Sequence, residues 1–438
     1  MTGADEPGLG PRFAAWRVLH DVRHGVPFDV ALRRAVKDLD TDDRRLAHEL
    51  AAGVFRARTH LDSSLAGGIE RGIDSVKADT LDVLRLGAFQ LLHLDRVPPH
   101  AAVQSTVGVA RRFGGRKVAG FVNAVLRRMA DGHADRVDLG GTEGGAAMLS
   151  REFSHPEWLV ARWLARFGPE ETPGLLTWNN TRPKLVIQPA RWSRSQVEAG
   201  LTAAGITFRP APFDAGLIVS AKKPAEMPGY ADGAFVVQDP AQRLVTRFLA
   251  PDPGAILYDA CAAPGGKSIA LATGRSLVIA ADRTRVRVRR LAENLTRAAP
   301  PNVLALLADV TKPPIRPVGA VLLDVPCLGT GTFARHPDAR WRVAPEALQS
   351  LAYQAGRFLI QAAEVVAPGG LLLFATCSLE PEENEAQVAR FLDGDPRFRR
   401  EPSTNVPAEL LNADGDLVVL PQRHGTDGAY AARLRRIL

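Results

Sequence analysis

The chain has 438 residues, 46% of them apolar, a net charge of +7 and only three cysteines; that length suits two or three domains with a sizeable core. It holds no run of about 18 apolar residues, and "MTGADEPGLGPRFAAW" lacks the basic start, apolar stretch and cleavage site of a secretory signal, so a cytoplasmic protein off the membrane is expected. The cysteines are far apart and form no C-x-x-C pair, which argues against a disulfide framework or a zinc site; no metal is expected, and free thiols suit a reducing compartment.

Residues 11–130 read as all-helical. Phe13, Trp16, Leu19 and Val22 fall at helical spacing, and Leu81, Leu84, Ala88 and Leu91 form one apolar stripe. Asp40, Thr41 and Asp42 are capping candidates ahead of "RRLAHELAAGVF", and "RVPPHAAVQ" reads as a Pro-fixed turn into another helix. The stretch 111–128, "RRFGGRKVAGFVNAVLRR", carries Arg111, Arg112, Arg116, Lys117, Arg127 and Arg128 and no acid. It is either a solvated face or a surface for phosphates.

Residues 131–150, rich in Gly and small polar residues, read as a linker. After a helix from "HPEWLVARWLARFG", the segments "PKLVIQPA", "SRSQVEAGLTAAG", "ITFRPAP" and "GLIVSA" predict a small strand-helix-strand-strand unit over 151–230. From about 235 the pattern becomes strands alternating with helices. "AILYDA", "SLVIAAD", "VLALLAD", "AVLLDVP" and "GLLLFATCS" are apolar runs without polar alternation, suited to strands buried on both faces of a parallel sheet. A doubly wound α/β domain over 231–438 follows.

Ligands in such sheets sit beyond the carboxyl ends of the strands. Asp259, Asp282, Asp309, Asp324 and Thr376-Cys377-Ser378 all fall there. One aspartate at a strand end is as well explained by turn formation; five such ends are not. In "DACAAPGGKS" the glycines at 265 and 266 and the next helix's N-terminus could approach a ligand. A P-loop would need glycine where Cys261 stands, and no G-x-G-x-x-G is present, so neither phosphate-binding mode applies. Asp282, about 20 residues on, is placed to grip ribose hydroxyls, and Asp309 to accept from an adenine amino group. An adenosine without phosphates fits, which points to S-adenosylmethionine.

Carbon 5 of cytosine is a poor nucleophile until a thiolate adds to carbon 6 and makes the ring an enamine. Cys327 and Cys377, in polar turns at strand ends, are candidates for such thiol chemistry; Cys261, in the cofactor loop, reads more readily as a small core residue. Asp324 at the same edge could hold the base.

The stretches "VQDPAQRLV", "LYDACAAPGGKS", "LLDVPCLGTGTFARHPDARW", "LLLFATCSLEPEENE" and "LPQRHGTDGAYAARLRR" resemble the RNA cytosine-C5 methyltransferases of the Nol/Nop/Sun family. The resemblance implies a Rossmann-like methyltransferase domain over 231–438. It implies Cys377 as nucleophile, Cys327 as the thiol that assists product release, and Asp324 as a residue of the substrate base. It places S-adenosylmethionine at Cys261, Ala262, Ala263, Pro264, Gly265, Gly266 and Lys267, with Asp282, Asp309 and Asp324. "LRLGAFQLLHLDRVPPHAAV" and "GFVNAVLRR" resemble the NusB-type helical RNA-binding domain, here over 1–140. The two together form the arrangement of family members that act on small-subunit ribosomal RNA, and a monomer is expected. Leu328 stands where the family usually has Ser or Thr, "QST" at 104–106 replaces an Asn-Glu pattern, and "IQPA" at 187–190 replaces Arg-Val-Asn. The same chemistry on tRNA, and a non-catalytic RNA-binding protein that kept the fold, are the rival expectations.

Overall fold

The computed structural model describes residues 8–132, 145–221, 223–272 and 277–438. Contacts group the chain into two units. One runs to Thr181 and includes His336–Arg342; the other holds Arg182–Arg335 and Val343–Leu438. Among the described residues no helix is long and apolar enough to cross a membrane.

The first unit is helical: α1 (Leu9–Arg23), α2 (Phe28–Ala35), α3 (Thr41–Ala66), α4 (Ala78–His93), α5 (Pro99–Ala130), α6 (Ala146–Phe153) and α7 (Glu157–Asn179). Asp40 caps α3 by accepting from the Asp42 and Asp43 N–H groups at 2.9 and 2.8 Å. Val18, Leu50, Leu61, Leu84, Val122 and Leu126 form its core. Beyond the apolar stripe of α4, the helix is buried all round from Asp82 to Gln90, because helices pack on several of its sides. Its charged residues survive there through pairing: Arg85 donates to Asp62 at 2.6 and 2.7 Å and to Asp82 at 3.1 Å.

The expected linker 131–150 differs at its end, since Ala146–Phe153 is helical; residues 133–144 lie outside the described part. His336–Arg342 is built into this unit. The buried Arg340 guanidinium donates to the Asn179 carbonyl and Asn180 Oδ1, at 2.7 and 2.6 Å, and Trp341 Nε1 donates to the Phe55 carbonyl at 2.7 Å. Burial, with Arg56 nearby, lowers the Arg340 pKa to about 9.

The second unit has two sheets. The small one holds β1 (Leu185–Pro189), β2 (Phe208–Pro210), β3 (Leu217–Val219) and β4 (Phe235–Val237) in the order β2-β3-β1-β4, with α8 (Arg194–Ala203) between β1 and β2 in sequence. The strand-helix-strand-strand expectation gains a fourth strand here, because β4 pairs antiparallel with β1. The large sheet holds β5 (Leu257–Asp259), β6 (Val278–Asp282), β7 (Val303–Leu307), β8 (Val318–Asp324), β9 (Val366–Thr376), β10 (Phe398–Arg400), β11 (Leu417–Val419) and β12 (Ala429–Arg436). Helices α9 (Pro240–Leu249), α10 (Gly266–Ala272), α11 (Arg285–Ala298), α12 (Pro345–Ala363) and α13 (Glu385–Gly394) accompany it.

The order is β10-β12-β9-β8-β5-β6-β7, with β5 to β9 parallel and β12 antiparallel to β9. Strand order reverses between β5 and β8, the place where such sheets open a crevice. One expectation fails: β7 is the edge strand, with Leu304 57% and Leu307 48% exposed, so its apolar run is not buried on both faces.

Candidate active site

The carboxyl ends of β5, β6 and β7 surround a cavity of about 250 Å³ lined by Cys261, Asp282, Asp309, Arg287, Gln354 and Phe358, among others. Asp282 is buried and accepts from Arg287 Nε at 2.9 Å and from the Ala263 N–H at 3.3 Å. Asp309 accepts from the Thr311 N–H and hydroxyl at 2.9 and 2.8 Å, and these bonds hold its pKa below the usual aspartate value. Burial, reinforced by Asp259, Asp324 and Asp282, pushes the Cys261 thiol far up. Cys261 is thus a small wall residue of the cavity with a proton firmly held.

The loop of Ala262, Ala263, Pro264 and Gly265 spends its backbone groups on the protein. The Ala262 N–H goes to Ala281, and the Gly265 N–H to Ala262, at 2.8 and 2.7 Å. Asn294 Nδ2 holds the Pro264 carbonyl at 2.9 Å. The reason for glycine at 265 is therefore the turn itself: its φ is +105°, and a Cβ would lie 2.7 Å from Leu291 Cδ1.

Lys267 and Asp324 meet away from this cavity's lining. Lys267 Nζ donates to Asp324 Oδ2 at 2.6 Å. Burial works against the ammonium, but Asp324, with Asp259 and Cys377 adding, holds the Lys267 pKa above the usual lysine value. Asp259, fully buried and bonded by the Ser268 hydroxyl at 2.6 Å, has its pKa raised to about 7, chiefly by burial.

At the ends of the adjacent strands β8 and β9 the two remaining thiols come together, Cys327 Sγ and Cys377 Sγ lying 3.4 Å apart. The Gly331 N–H donates to the Cys377 carbonyl at 3.0 Å, and the Leu379 N–H to Thr330 Oγ1 at 2.8 Å. The fit is close enough that a Cβ on Gly331 would stand 2.7 Å from Gly428 Cα and 2.8 Å from the Cys377 oxygen. The contact with Cys377, then burial, then the charges of Cys377 and Glu383 push the Cys327 pKa well up.

The six basic residues all lie on α5 and are exposed, but the helix breaks at Gly115 (φ 74°, ψ −168°), which parts Arg111 and Arg112 from the other four. Arg112 lies over the Phe13 ring at 4.2 Å, Arg127 Nε bonds Asn123 Oδ1 at 3.1 Å, and Arg128 faces Glu70 at 3.6 Å. Lys117 and Arg128 meet Arg71 and Lys77 around a cavity of about 540 Å³ whose walls include Val118 and Phe121.

Sequence reasoning did not find Arg71 and Lys77, which stand apart from the basic run. Nor did it find Arg283, Thr284, Arg287, Gln354 and Phe358 of the first cavity. "RTRVR" directly follows Asp282 and was the available signal for three of these. Nothing in the α12 sequence marks Gln354 or Phe358.

A mixed sheet, parallel from β5 to β9 and reversing between β5 and β8, with paired thiols on its edge and an all-helical unit ahead of it, defines a class: a Rossmann-like methyltransferase domain joined to a NusB-like domain. Residues 246–435 match the 16S rRNA methyltransferase RsmB/F family, 11–131 the NusB family, and 155–226 the ferredoxin-like domain of RsmF/B-like methyltransferases. The chain belongs to the RsmB/F family of 16S rRNA methyltransferases. It is 33% identical to the probable ribosomal RNA small subunit methyltransferase B of Synechocystis sp., covering 98% of this chain and 100% of that one. The ribosomal RNA small subunit methyltransferase B of Pseudomonas putida is also 33% identical, over 98% and 99% of the two chains. Among solved structures, that of PH0851 has a TM-score of 0.84 at 22% identity, over 99% of this chain and 100% of that one. That of NSun6 from Pyrococcus horikoshii with SFG has a TM-score of 0.57 at 18% identity, over 63% and 97%.

Proposed function

We propose that the protein methylates carbon 5 of a cytosine in small-subunit ribosomal RNA, using S-adenosylmethionine and a covalent adduct between Cys377 and carbon 6. The observation that carries this reading is the pair of thiols 3.4 Å apart on neighbouring strand ends, on the edge that also carries Lys267 and Asp324.

The first cavity suits an adenosine: Asp282 and Asp309 offer carboxylate acceptors, and Phe358, Val310, Ala308 and Pro326 offer apolar surface. S-adenosylmethionine supplies the electrophilic methyl group. The protein prepares the base. Cys377 adds to carbon 6 as the thiolate, the nucleophilic form of the thiol. The pair Lys267–Asp324 holds the cytosine and stabilises the charge that addition pushes into the ring. Carbon 5, now enamine-like, takes the methyl. Solvent water then takes the carbon 5 proton, the freed C–H electron pair re-forms the double bond between carbons 5 and 6, and the carbon 6–sulfur bond breaks to release Cys377 as its thiolate, a release in which Cys327 assists. The basic residues Arg111, Arg112, Arg116, Lys117, Arg127 and Arg128 support binding of the RNA backbone.

A denaturing gel of variants incubated with small-subunit RNA and S-adenosylmethionine tests the roles. Cys377→Ala should lose methyl transfer and form no adduct. Cys327→Ala should accumulate a slow-migrating protein–RNA band that disappears in the double variant. An adduct that formed in Cys377→Ala and needed Cys327 would reverse the roles; full turnover in both single variants would remove covalent catalysis.

A further inference from the structure

One buried acid beside the thiols has no part in the mechanism above. Glu383 follows Cys377 by six residues in the 3-10 turn Pro381–Glu383 and is 1% exposed. Its Oε1 accepts the backbone N–H of Leu328 at 3.0 Å, the residue directly after Cys327. Glu383 itself lies on the segment that runs on from Cys377, so this bond joins the two turns; its other oxygen, Oε2, is buried with no hydrogen-bond partner among the described residues. Leu328 is itself buried and has no polar side chain, so this N–H is the one donor it offers.

We propose that Glu383 is a positioning residue for the cysteine pair, its carboxylate tying the turn after Cys327 to the turn after Cys377 and so fixing where the two thiols stand. The proposal rests on the reaction assigned above, and deepens it.

The neighbouring ties show what Glu383 adds. Gly331 and Thr330 clasp the far end of the Cys327 turn to Cys377 and Leu379. Asn384 braces the other turn from behind, its Nδ2 donating to the Ser378 carbonyl at 2.9 Å and its Oδ1 accepting from Thr376 Oγ1 at 2.5 Å. The cross-turn backbone bond nearest in sequence to Cys327 is the one to Glu383. A buried carboxylate is a costly tie for purely structural work, since burial, with Glu380 and Glu382 alongside, raises its pKa to about 7. Two thiols that must act at opposite stages on one flat ring need their separation fixed, and a misplacement of about 1 Å can cost roughly a hundredfold in rate.

The test compares Glu383→Ala, which removes the acceptor, with Glu383→Gln, which keeps an oxygen for the Leu328 N–H. Activity is normalised to the fraction of protein that binds S-adenosylmethionine, so misfolded protein does not count. Glu383→Ala should lower kcat by at least about tenfold, with KM for RNA and cofactor within about twofold, and Glu383→Gln should recover most of the loss. In a separate measurement without RNA, diamide should close a disulfide between Cys327 and Cys377 more slowly in Glu383→Ala than in the parent or Glu383→Gln. Unchanged normalised kcat and unchanged closure in Glu383→Ala would overturn the proposal, as would Glu383→Gln failing in both like Glu383→Ala. If the parent chain does not methylate cytosine, the reaction reading fails, while the closure rates still decide whether Glu383 holds the thiols.

Discussion

Lys267 and Asp282 stand in one stretch of sequence reading, the cofactor loop and the acid that follows it, yet they face different partners. Asp282 lines the first cavity and is held by Arg287; Lys267 pairs with Asp324 at the end of β8. Their variants should therefore fail differently. Asp282→Ala removes a charge-assisted acceptor, so calorimetry should show S-adenosylmethionine binding weakened by roughly 1.5–3 kcal/mol. Lys267→Gln should leave that affinity within about twofold while lowering methyl transfer by about a hundredfold, the usual scale for a lost electrostatic donor. If Lys267→Gln instead lost cofactor affinity, Lys267 would belong to the cofactor loop as the sequence suggests. The sequence shows Lys267 one residue from two glycines; it does not show that a side chain on the first turn of α10 meets the end of β8.

Helix α5 carries its basic residues on two segments, and only the second reaches the cavity that Arg71 and Lys77 share. If that cavity meets RNA phosphates, replacing Arg71, Lys77, Lys117 and Arg128 by glutamine should flatten the log-affinity against log-salt line by about 0.7–0.9 for each phosphate no longer neutralised. Replacing Arg111 and Arg112 should change it less, because Arg112 already lies over Phe13. Equal slopes for the parent and both variants would make the whole run a solvated face. Elements were legible where burial and period agree. β5, β6, β8 and β9 are near-continuous apolar runs because helices cover both faces of a parallel sheet. β12 was not, since "AYAARLRR" reads as a charged tail. Its Arg433 and Arg435 are satisfied by Glu401, at 2.7 and 2.6 Å, a residue about 30 positions earlier that no local pattern links to it. β7 misled in the opposite sense, because an edge strand can be as apolar as a central one.

Across the molecule, the edge of the large sheet was the most readable feature: acids and thiols at strand ends converge whatever the loops between them do. The path of the chain beyond Cys327 was the least readable, because residues 336–342 are claimed by a helical unit more than 150 residues earlier in sequence. That sheet edge also has a consequence for stability. Asp259 is an acid whose folded pKa is raised by burial to about 7, so in the folded protein it keeps its proton from about pH 4 to about pH 7 while the unfolded chain releases it. The folded state then binds more protons over that window, and the Asp259 contribution falls as pH rises through it, levelling off above about 7. Other groups of the same unit run the opposite way. Burial, with Arg423, holds the pKa of His424 below its usual value, so its contribution is lost as pH falls. The hydrogen bond from Arg435 leads those that hold Glu401 at about 2, so its stabilisation is lost as pH falls through the acid range towards that value. The raw pH profile mixes these terms, and a difference isolates one. Asp259→Asn mimics the protonated acid and keeps an oxygen for the Ser268 hydroxyl. The midpoint of Asp259→Asn minus that of the parent, read on the unfolding transition that S-adenosylmethionine shifts upward, should become more positive from pH 5 to pH 8. A difference that stays flat over that range would mean that Asp259 ionises in the fold as an ordinary carboxylate, and that burial at this edge is offset by more than Ser268 and Lys267.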